Sequence, residues 1–565
     1  MLSSRRLSAI IYIVTAVVYL GVGYFLGVHH GFLLGDALSR VSAAQSVLFS
    51  RDPHVAAIGF IFTPLTALVQ LPTVALSGIW QPMTEFGYSG SIMSALFMAG
   101  AAVQIFGIGS DRALPRTFTL FITAVFAFNP MILFYGSNGM SEAPFIFFTC
   151  WAVRRLIAWA TDDDVHHLAA AGIALALGYL TRYDAVAAIA AASILVGAIT
   201  ATRSAKHLRW KRALLDGGLI VLPGFFAFLG WAVTSWLITG QAFAQFSSQY
   251  GNSAILQQSG ADTPTEFVPG LEFALTSTVM LAPTLIPLAI LSGVAGWWRH
   301  DWVPLLFPLF VFGAVLAFQA YSYASGSTFG FLRFYILALP MAATMAVLLL
   351  PPRACTITKR RGKYAPRQSL SPDRFPESPN RTGRPRVWSA LTASALLLAL
   401  TVPSSAWAMS NPEHAPQEYG LGAILAPEPD NVSERKATEH RIAATFSTER
   451  GMAEYLDGLD LPEGSVLADT VYGFAVVVAS TKPKTFVVPS DQDFTAILND
   501  PAANNVQYLL AVPNTGRGES DALNIRYPTL YETGADIATL ALEVPNDGEN
   551  QPEWRIYRVL AEVED

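Results

Sequence analysis

Long apolar runs recur along the first 409 residues of the chain and set the expected architecture. Crossing about 30 Å of hydrocarbon as a helix takes roughly 20 apolar residues. Such runs predict membrane-spanning helices at 8–28, 90–109, 117–136, 144–160, 214–238, 273–298, 303–320, 331–351 and 387–409. A further stretch, 168–201, is interrupted at 181–184, and because charges in mid-bilayer are costly it predicts two short spans that meet at a polar turn. The pattern predicts a polytopic α-helical membrane protein with about eleven transmembrane helices.

The apolar segment 57–80 contains Pro64 and Pro72 and admits two interpretations. As an additional span it would move every later basic loop to the other side of the membrane. We therefore interpret it as an interfacial or re-entrant helix.

Composition agrees with a membrane protein, because 52% of the residues are hydrophobic and only 14% are charged. Soluble domains carry about 25% charged residues. The net charge of −6 gives no reason to expect a nucleic-acid partner. Cys150 and Cys355 fall on separate segments, so neither a disulfide framework nor a cysteine metal site is predicted.

Basic residues indicate the orientation, because cytoplasmic loops are enriched in Lys and Arg. The loop 353–386 holds ten basic residues against Asp373 and Glu377. It is predicted to be a basic cytoplasmic loop between the transmembrane region 1–352 and the last transmembrane helix, 387–409. The N-terminus is then cytoplasmic, and everything after 409 is extracytoplasmic.

The C-terminal part is predicted to be a linker, 410–442, followed by a small extracytoplasmic α/β domain, 443–565. An amphipathic helix over Thr445–Leu459 precedes short apolar runs typical of strands. These strand-like runs are 466–469, 485–489, 506–512 and 554–560, and helix-like stretches lie at 491–500 and 534–542. This alternation is expected of αβ layers.

Two acidic residues at the predicted membrane boundary are the candidates for catalysis. Asp36 directly follows the first span, and Arg40 lies one helical turn later on the same face. A surface ion pair and a general base both account for Asp36. Glu142 follows Ser141 in a short external turn, where it fits either a helix cap or a second site carboxylate.

The layout resembles the GT-C superfamily of membrane glycosyltransferases, which use polyprenyl-phosphate sugars. The group includes the protein O-mannosyltransferases, the aminoarabinose transferases and the arabinosyltransferases. The matching stretches are 36–40, the Pro-containing helix at 63–80, LTRYDA at 180–185 and RFYILALP at 333–340. The chain departs from the superfamily at Ala37, where a second acid is common. The resemblance implies that Asp36 is catalytic and that Glu142 is its acidic partner.

Scarce basic residues on the external side are the candidates for substrate binding. Arg182 and Arg333 suit a lipid phosphate, because guanidinium groups match phosphate oxygens; interfacial anchoring is the alternative. Arg40 and His54 are predicted to face the same region, with a structural role as the alternative for His54. No metal site is predicted, and a divalent cation is left open as a cofactor.

Together these features predict an inverting glycosyltransferase with a carboxylate base. The expected partners are a polyprenyl-phosphate-linked sugar, a cell-envelope glycan, lipid or protein acceptor, and the lipid bilayer. The alternatives are a transporter or lipid flippase, which predicts inverted repeats and mid-bilayer charges, and a non-catalytic scaffold that presents the C-terminal domain.

The orientation is testable with C-terminal fusions to the full chain. An alkaline phosphatase fusion should be active and a green fluorescent protein fusion dark, because the tail is predicted to be outside. A bright fluorescent fusion would reverse the orientation and put Asp36 on the wrong side for this chemistry.

Overall fold

The computed structural model describes residues 3–258, 264, 266–352, 384–428 and 433–560, without the side chains of 384–388. The predicted basic loop falls almost entirely outside the described residues. The helices of the membrane region are α1 (Ser4–Gly23, continued by a π-helix, Tyr24–His29), α2 (Gly35–Phe49), α3 (Leu65–Leu68), α4 (Leu71–Val74), α5 (Pro82–Glu85), α6 (Tyr88–Asp111), α7 (Arg116–Ala127), α8 (Pro130–Tyr135), α9 (Glu142–Asp162), α10 (Val165–Tyr179), α11 (Ala185–Arg203), α12 (Arg209–Thr239), α13 (Ala244–Ser247), α14 (Asn252–Gln258), α15 (Phe267–Leu281), α16 (Leu285–Arg299), α17 (Val303–Ala324), α18 (Ala338–Leu348), α19 (Arg384–Ala399) and α20 (Thr401–Met409). Short 3₁₀ turns lie at Val55–Ile58 and Leu332–Tyr335.

Within the described residues, seven helices are long and apolar enough to cross a membrane, or eight if a bent pair is one span. The chain is therefore a multi-pass membrane protein, but the count of about eleven is not confirmed. The span predicted at 273–298 is not straight, because α15 and α16 meet at 76°. Pro283 lies at this bend and cannot donate a backbone hydrogen bond.

Two other predicted spans are also interrupted. The run 117–136 breaks between α7 and α8 at Asn129, whose side chain accepts from Met131 N at 3.0 Å and donates to Thr401 O at 3.1 Å. The stretch 168–201 forms α10 and α11 on either side of the polar turn, as the sequence predicts. The segment 57–80 contains only short helices, too short to cross a bilayer.

The C-terminal domain contains a five-stranded sheet with strand order β2-β1-β3-β5-β4. Its strands are β1 (Val466–Leu467), β2 (Phe486–Val487), β3 (Tyr508–Ala511), β4 (Ala538–Val544) and β5 (Trp554–Val559). β1 pairs in parallel with β2 and β3, whereas β5 pairs antiparallel with β3 and β4. The α/β prediction is confirmed, but the helix at 534–542 is wrong, because β4 occupies most of it as an edge strand.

Helices cover the sheet and fill the connection to the membrane region. They are α21 (Leu421–Leu425), α22 (Glu434–Ala443), α23 (Ser447–Gly458), α24 (Phe474–Ala479), α25 (Phe494–Asn499), α26 (Ala522–Arg526) and α27 (Leu530–Thr533). The predicted linker 410–442 is not a loose tether. His414 accepts a hydrogen bond from Leu332 N at 2.8 Å through its carbonyl, and its ring bonds Ser277 Oγ at 2.8 Å.

Close packing of α10 against α12 sets the position of the polar turn that follows α10. A Cβ added at Gly172 would lie 2.2 Å from the carbonyl oxygen of Leu219. Small residues at helix interfaces allow this backbone approach in membranes.

Replacing Gly172 by alanine should therefore lower the stability of the membrane region by about 1–3 kcal/mol, the usual cost of overpacking. Gly230→Ala is the matched control, because it lies in α12 with no atom within 4 Å of its added Cβ. Thermal unfolding of the purified proteins measures both. Equal unfolding midpoints for the two variants would contradict close packing at Gly172.

Candidate active site

Asp36 lies in the first turn of α2, just beyond the end of the first span. An acid there is favoured by the helix dipole. Its Oδ2 accepts a hydrogen bond from Arg333 Nη2 at 2.8 Å, although the two residues are 297 positions apart in the chain. The Asp36 side chain is 38% exposed, whereas that of Arg333 is 5% exposed. The carboxylate therefore reaches solvent while its partner is buried behind it.

Arg40 does not form the surface ion pair that the i,i+4 spacing allows. Its side chain is buried, and Nη1 donates to the backbone oxygen of Asp36 at 2.5 Å. The guanidinium lies 4.3 Å from the ring centroid of Phe62. Asp36 is thus left to pair with Arg333, and the surface-pair interpretation is wrong.

Glu142, the first residue of α9, forms the second ion pair of the site. It is 1% exposed and accepts from Arg182 Nη1 at 2.6 Å. Arg182 also bonds Asp184 at 2.8 Å within the turn between α10 and α11. Ser141 is the N-cap residue of α9 and Glu142 lies in its first turn, as predicted, but the Ser141 side chain makes no capping hydrogen bond.

The two ion pairs adjoin each other. Arg333 Nε lies 3.9 Å from Glu142 Oε1. The ring of Phe334 is shared, since its centroid lies 5.4 Å from the Arg182 guanidinium and 5.3 Å from that of Arg333. Aromatic faces attract guanidinium groups and fix their planes. The structure therefore brings Asp36, Arg40, Glu142, Arg182 and Arg333 together.

Three buried polar atoms of this cluster have no hydrogen-bond partner among the described residues: Arg40 Nε, Arg333 Nε and Glu142 Oε2. An unpartnered buried polar atom is costly, and it is satisfied where a ligand or water supplies the bond. Partial burial raises the pKa of Asp36, but the charges of Arg333 and Arg40 lower it by more, so this pKa lies below its usual value. The carboxylate is ionised at neutral pH.

None of the hydrogen bonds or ion pairs described for His54 connects it to this cluster. Its Nδ1 lies 2.7 Å from the backbone oxygen of Asp52. Asp52 in turn accepts a bond from Gln492 N of the C-terminal domain at 3.0 Å. His54 is therefore next to the junction between the first long loop and the C-terminal domain.

Glu418, a buried acid from the predicted linker, lies beside the cluster but was not among the site residues predicted from the sequence. Its Oε1 accepts a hydrogen bond from Tyr135 Oη at 2.5 Å. Burial raises the pKa of Glu418, and Arg333 and Glu142 are close enough to influence it electrostatically. No pattern in the sequence indicates this contact, because 283 residues separate Glu418 from Tyr135 and the burial of Glu418 depends on the fold.

A metal centre is not evident in the described part of the chain, where no group of three or more His, Cys, Asp or Glu side chains could hold an ion. The divalent cation left open by the sequence stays a prediction.

Comparison with known proteins gives the cluster a context. Residues 85–231 match the family model described as dolichyl-phosphate-mannose-protein mannosyltransferase. The fold matches ArnT from Cupriavidus metallidurans bound to undecaprenyl phosphate, with a TM-score of 0.54 and 13% identity, over 98% of each chain. The same protein in the apo state matches with a TM-score of 0.51 and 13% identity, over 99% of each chain. No curated protein matches by sequence.

A third structure, the archaeal oligosaccharyltransferase AglB from Archaeoglobus fulgidus with an inhibitory peptide and a dolichol phosphate, is more distant. Its TM-score is 0.39 at 10% identity, over 90% of this chain and 70% of that one. The family-model match over residues 85–231 supports glycosyltransferase activity, and the likeness to ArnT shows the fold. The resemblance to membrane glycosyltransferases that the sequence suggested is confirmed by this match together with the fold.

Proposed function

We propose that the chain transfers a sugar from a polyprenyl-phosphate donor to a cell-envelope glycan, lipid or protein acceptor, with inversion at C1. The proposed location is the membrane surface next to the C-terminal domain, which the basic-residue bias predicts to be outside the cytoplasm. One observation carries the proposal: three arginines and two carboxylates converge, with buried polar atoms of Arg40, Arg333 and Glu142 unpartnered.

The arginine set suits the phosphate of the donor. Arg40 and Arg333 each offer an unpartnered Nε, and guanidinium groups bind phosphate oxygens through several hydrogen bonds. In ArnT, undecaprenyl phosphate is the molecule bound, which supports a lipid phosphate as the ligand class. The first candidate for donor contact is therefore the face of the cluster formed by Arg40, Arg182 and Arg333.

The exposed carboxylate of Asp36 suits the acceptor. In the proposed step, Asp36 takes the proton of an acceptor hydroxyl while that oxygen attacks C1 of the sugar. The bond between C1 and the phosphate oxygen breaks, and its electron pair leaves on the phosphate. The products are the glycosylated acceptor, a polyprenyl phosphate and a protonated Asp36, so no covalent enzyme intermediate is needed.

Arg333 connects the base with the leaving group. The donor phosphate is a diester with one negative charge, and the departing monoester gains a second. A guanidinium that is already positioned stabilises this charge as it develops. As Arg333 interacts more strongly with the phosphate, its hold on Asp36 weakens, and the carboxylate becomes a stronger base when the proton must move.

Glu142 fits a supporting role rather than that of a second catalytic carboxylate, which the resemblance implies. Its side chain is almost fully buried and is engaged by Arg182 at 2.6 Å. We propose that it holds Arg182 in position, with Arg333 beside it. The family-model match and the ArnT-like fold favour a transferase over a transporter.

Asp36→Asn should reduce transfer of radiolabelled sugar by about 10²–10⁴-fold, the usual contribution of a general base. The amide keeps the size of the side chain and an oxygen for Arg333, so the protein should still fold and accumulate. Its unfolding midpoint should fall, because buried Arg333 loses the charge of its direct partner. Glu413→Gln, an exposed acid elsewhere, is the matched control and should keep full activity. Near-normal transfer by Asp36→Asn would eliminate Asp36 as the base, and failure of the protein to accumulate would make it a structural residue.

Arg333→Gln should raise the Michaelis constant for the lipid-linked donor by about 10–150-fold, because a hydrogen bond to a charged group contributes about 1.5–3 kcal/mol. Arg299→Gln is the control; Arg299 Nη1 donates to Leu349 O at 2.7 Å, and no donor contact is proposed for it. Steady-state transfer assays at varied donor concentration measure both. An unchanged constant in well-folded Arg333→Gln, or degradation of this variant, would favour the anchoring interpretation.

A further inference from the structure

The C-terminal domain lies against α2, the helix that carries Asp36. We infer that α24 of this domain is a positioning element that holds α2, and with it Asp36, in the geometry needed for transfer. The inference rests on the proposed function. It also gives the domain a part in catalysis without requiring it to bind the acceptor.

One buried apolar cluster joins the two elements. It contains Leu38, Val41 and Ala44 of α2, and Phe474, Ala475 and Val478 of α24. At about 100° per residue, Leu38 and Val41 lie about 200° and 140° around the helix from Asp36. The C-terminal domain therefore packs on the face of α2 opposite to the carboxylate.

Polar contacts fasten the chain on both sides of α2. Before it, the Arg450 guanidinium packs against Gly31, where a Cβ would be 2.8 Å from Nη2. The same guanidinium lies 5.1 Å from the ring centroid of Phe86, which follows α5. Gly31 has φ +69°, so a side chain there would also strain the backbone. After it, Arg51 Nε donates to Asp491 Oδ2 at 3.4 Å.

A third polar contact lies beside α24 itself. Gln81 Nε2 donates to the carbonyl oxygens of Ala479 and Ser480 at 3.3 and 3.1 Å. These carbonyls are at the C-terminal end of α24, where helix oxygens lack intrahelical partners. The membrane region thus supplies a donor that fixes the end of α24 directly.

This arrangement matters because a catalytic group displaced by about 1 Å can cost about 10²-fold in rate. The Asp36 side chain is partly exposed to solvent, so few contacts hold it on that side of α2. Its position therefore depends on the packing of the opposite face of α2 against α24. Of the three arginines that would bind the donor, Arg182 and Arg333 come from other elements, whereas Arg40 belongs to α2 itself. Loosening α24 should therefore impair the chemical step more than donor affinity.

Two substitutions within α24 distinguish an effect on the position of α2 from an effect on the folding of the C-terminal domain. Val476 and Val478 are both fully buried, but Val478 packs in the cluster with α2, whereas Val476 packs in the core of the C-terminal domain itself. Each Val→Ala change removes the same atoms. Val478→Ala should lower kcat about tenfold and change the Michaelis constant for the donor by much less, because only Arg40 of the donor-binding arginines lies in α2. Val476→Ala should lower the unfolding midpoint of the domain but keep kcat.

Hydrogen exchange gives a readout that does not require transfer. Val478→Ala should accelerate exchange of the α2 amides, residues 35–49, relative to Val476→Ala. Equal kcat and equal α2 exchange in the two variants would overturn the positioning role. If no variant, nor the unmodified chain, transfers sugar while α2 exchange still differs, the proposed function fails and the mechanical coupling between α24 and α2 stands.

Discussion

The buried charge of Arg333 is the constraint on which the site depends. A guanidinium removed from water is strongly destabilising unless carboxylates pair with it. Asp36 provides the direct partner at 2.8 Å, and Glu142 lies behind it at 3.9 Å. Glu142 in turn pairs with Arg182, so each buried charge of the cluster has an opposite charge beside it. This chain of dependence links three separate parts of the membrane region.

Interrupted helices make such a network possible at the edge of a bilayer. Arg182 comes from the turn between α10 and α11, and Arg333 from the 3₁₀ turn before α18. In lipid, a helix break must find partners for its backbone groups. The break before α18 finds one in the His414 carbonyl, which accepts from Leu332 N. His414, in the segment after the last span, therefore satisfies a backbone hydrogen bond next to Arg333.

The sequence was informative where polar residues stood out against apolar runs. Asp36, Glu142, Arg182 and Arg333 were identifiable for this reason, as were most strands of the C-terminal domain. Helical spacing could place Arg40 on one face with Asp36, but it could not show that Arg40 is buried or that the pair is formed with Arg333. Glu418 was hidden because its burial depends on the packing of a polar segment. The residues 534–542 carry no β-branched run long enough to distinguish an edge strand from a helix.

The separation of Asp36 and Arg333 along the chain has a consequence for biogenesis. A ribosome adds about 5–20 residues per second, so the 297 residues between them take roughly 15–60 s to make. During that interval the N-terminal helices can enter the membrane, but the Asp36 carboxylate lacks the guanidinium with which it forms its ion pair. Prematurely terminated chains that end before Arg333 would therefore contain Asp36, Arg40, Glu142 and Arg182, but not the complete ion-pair cluster.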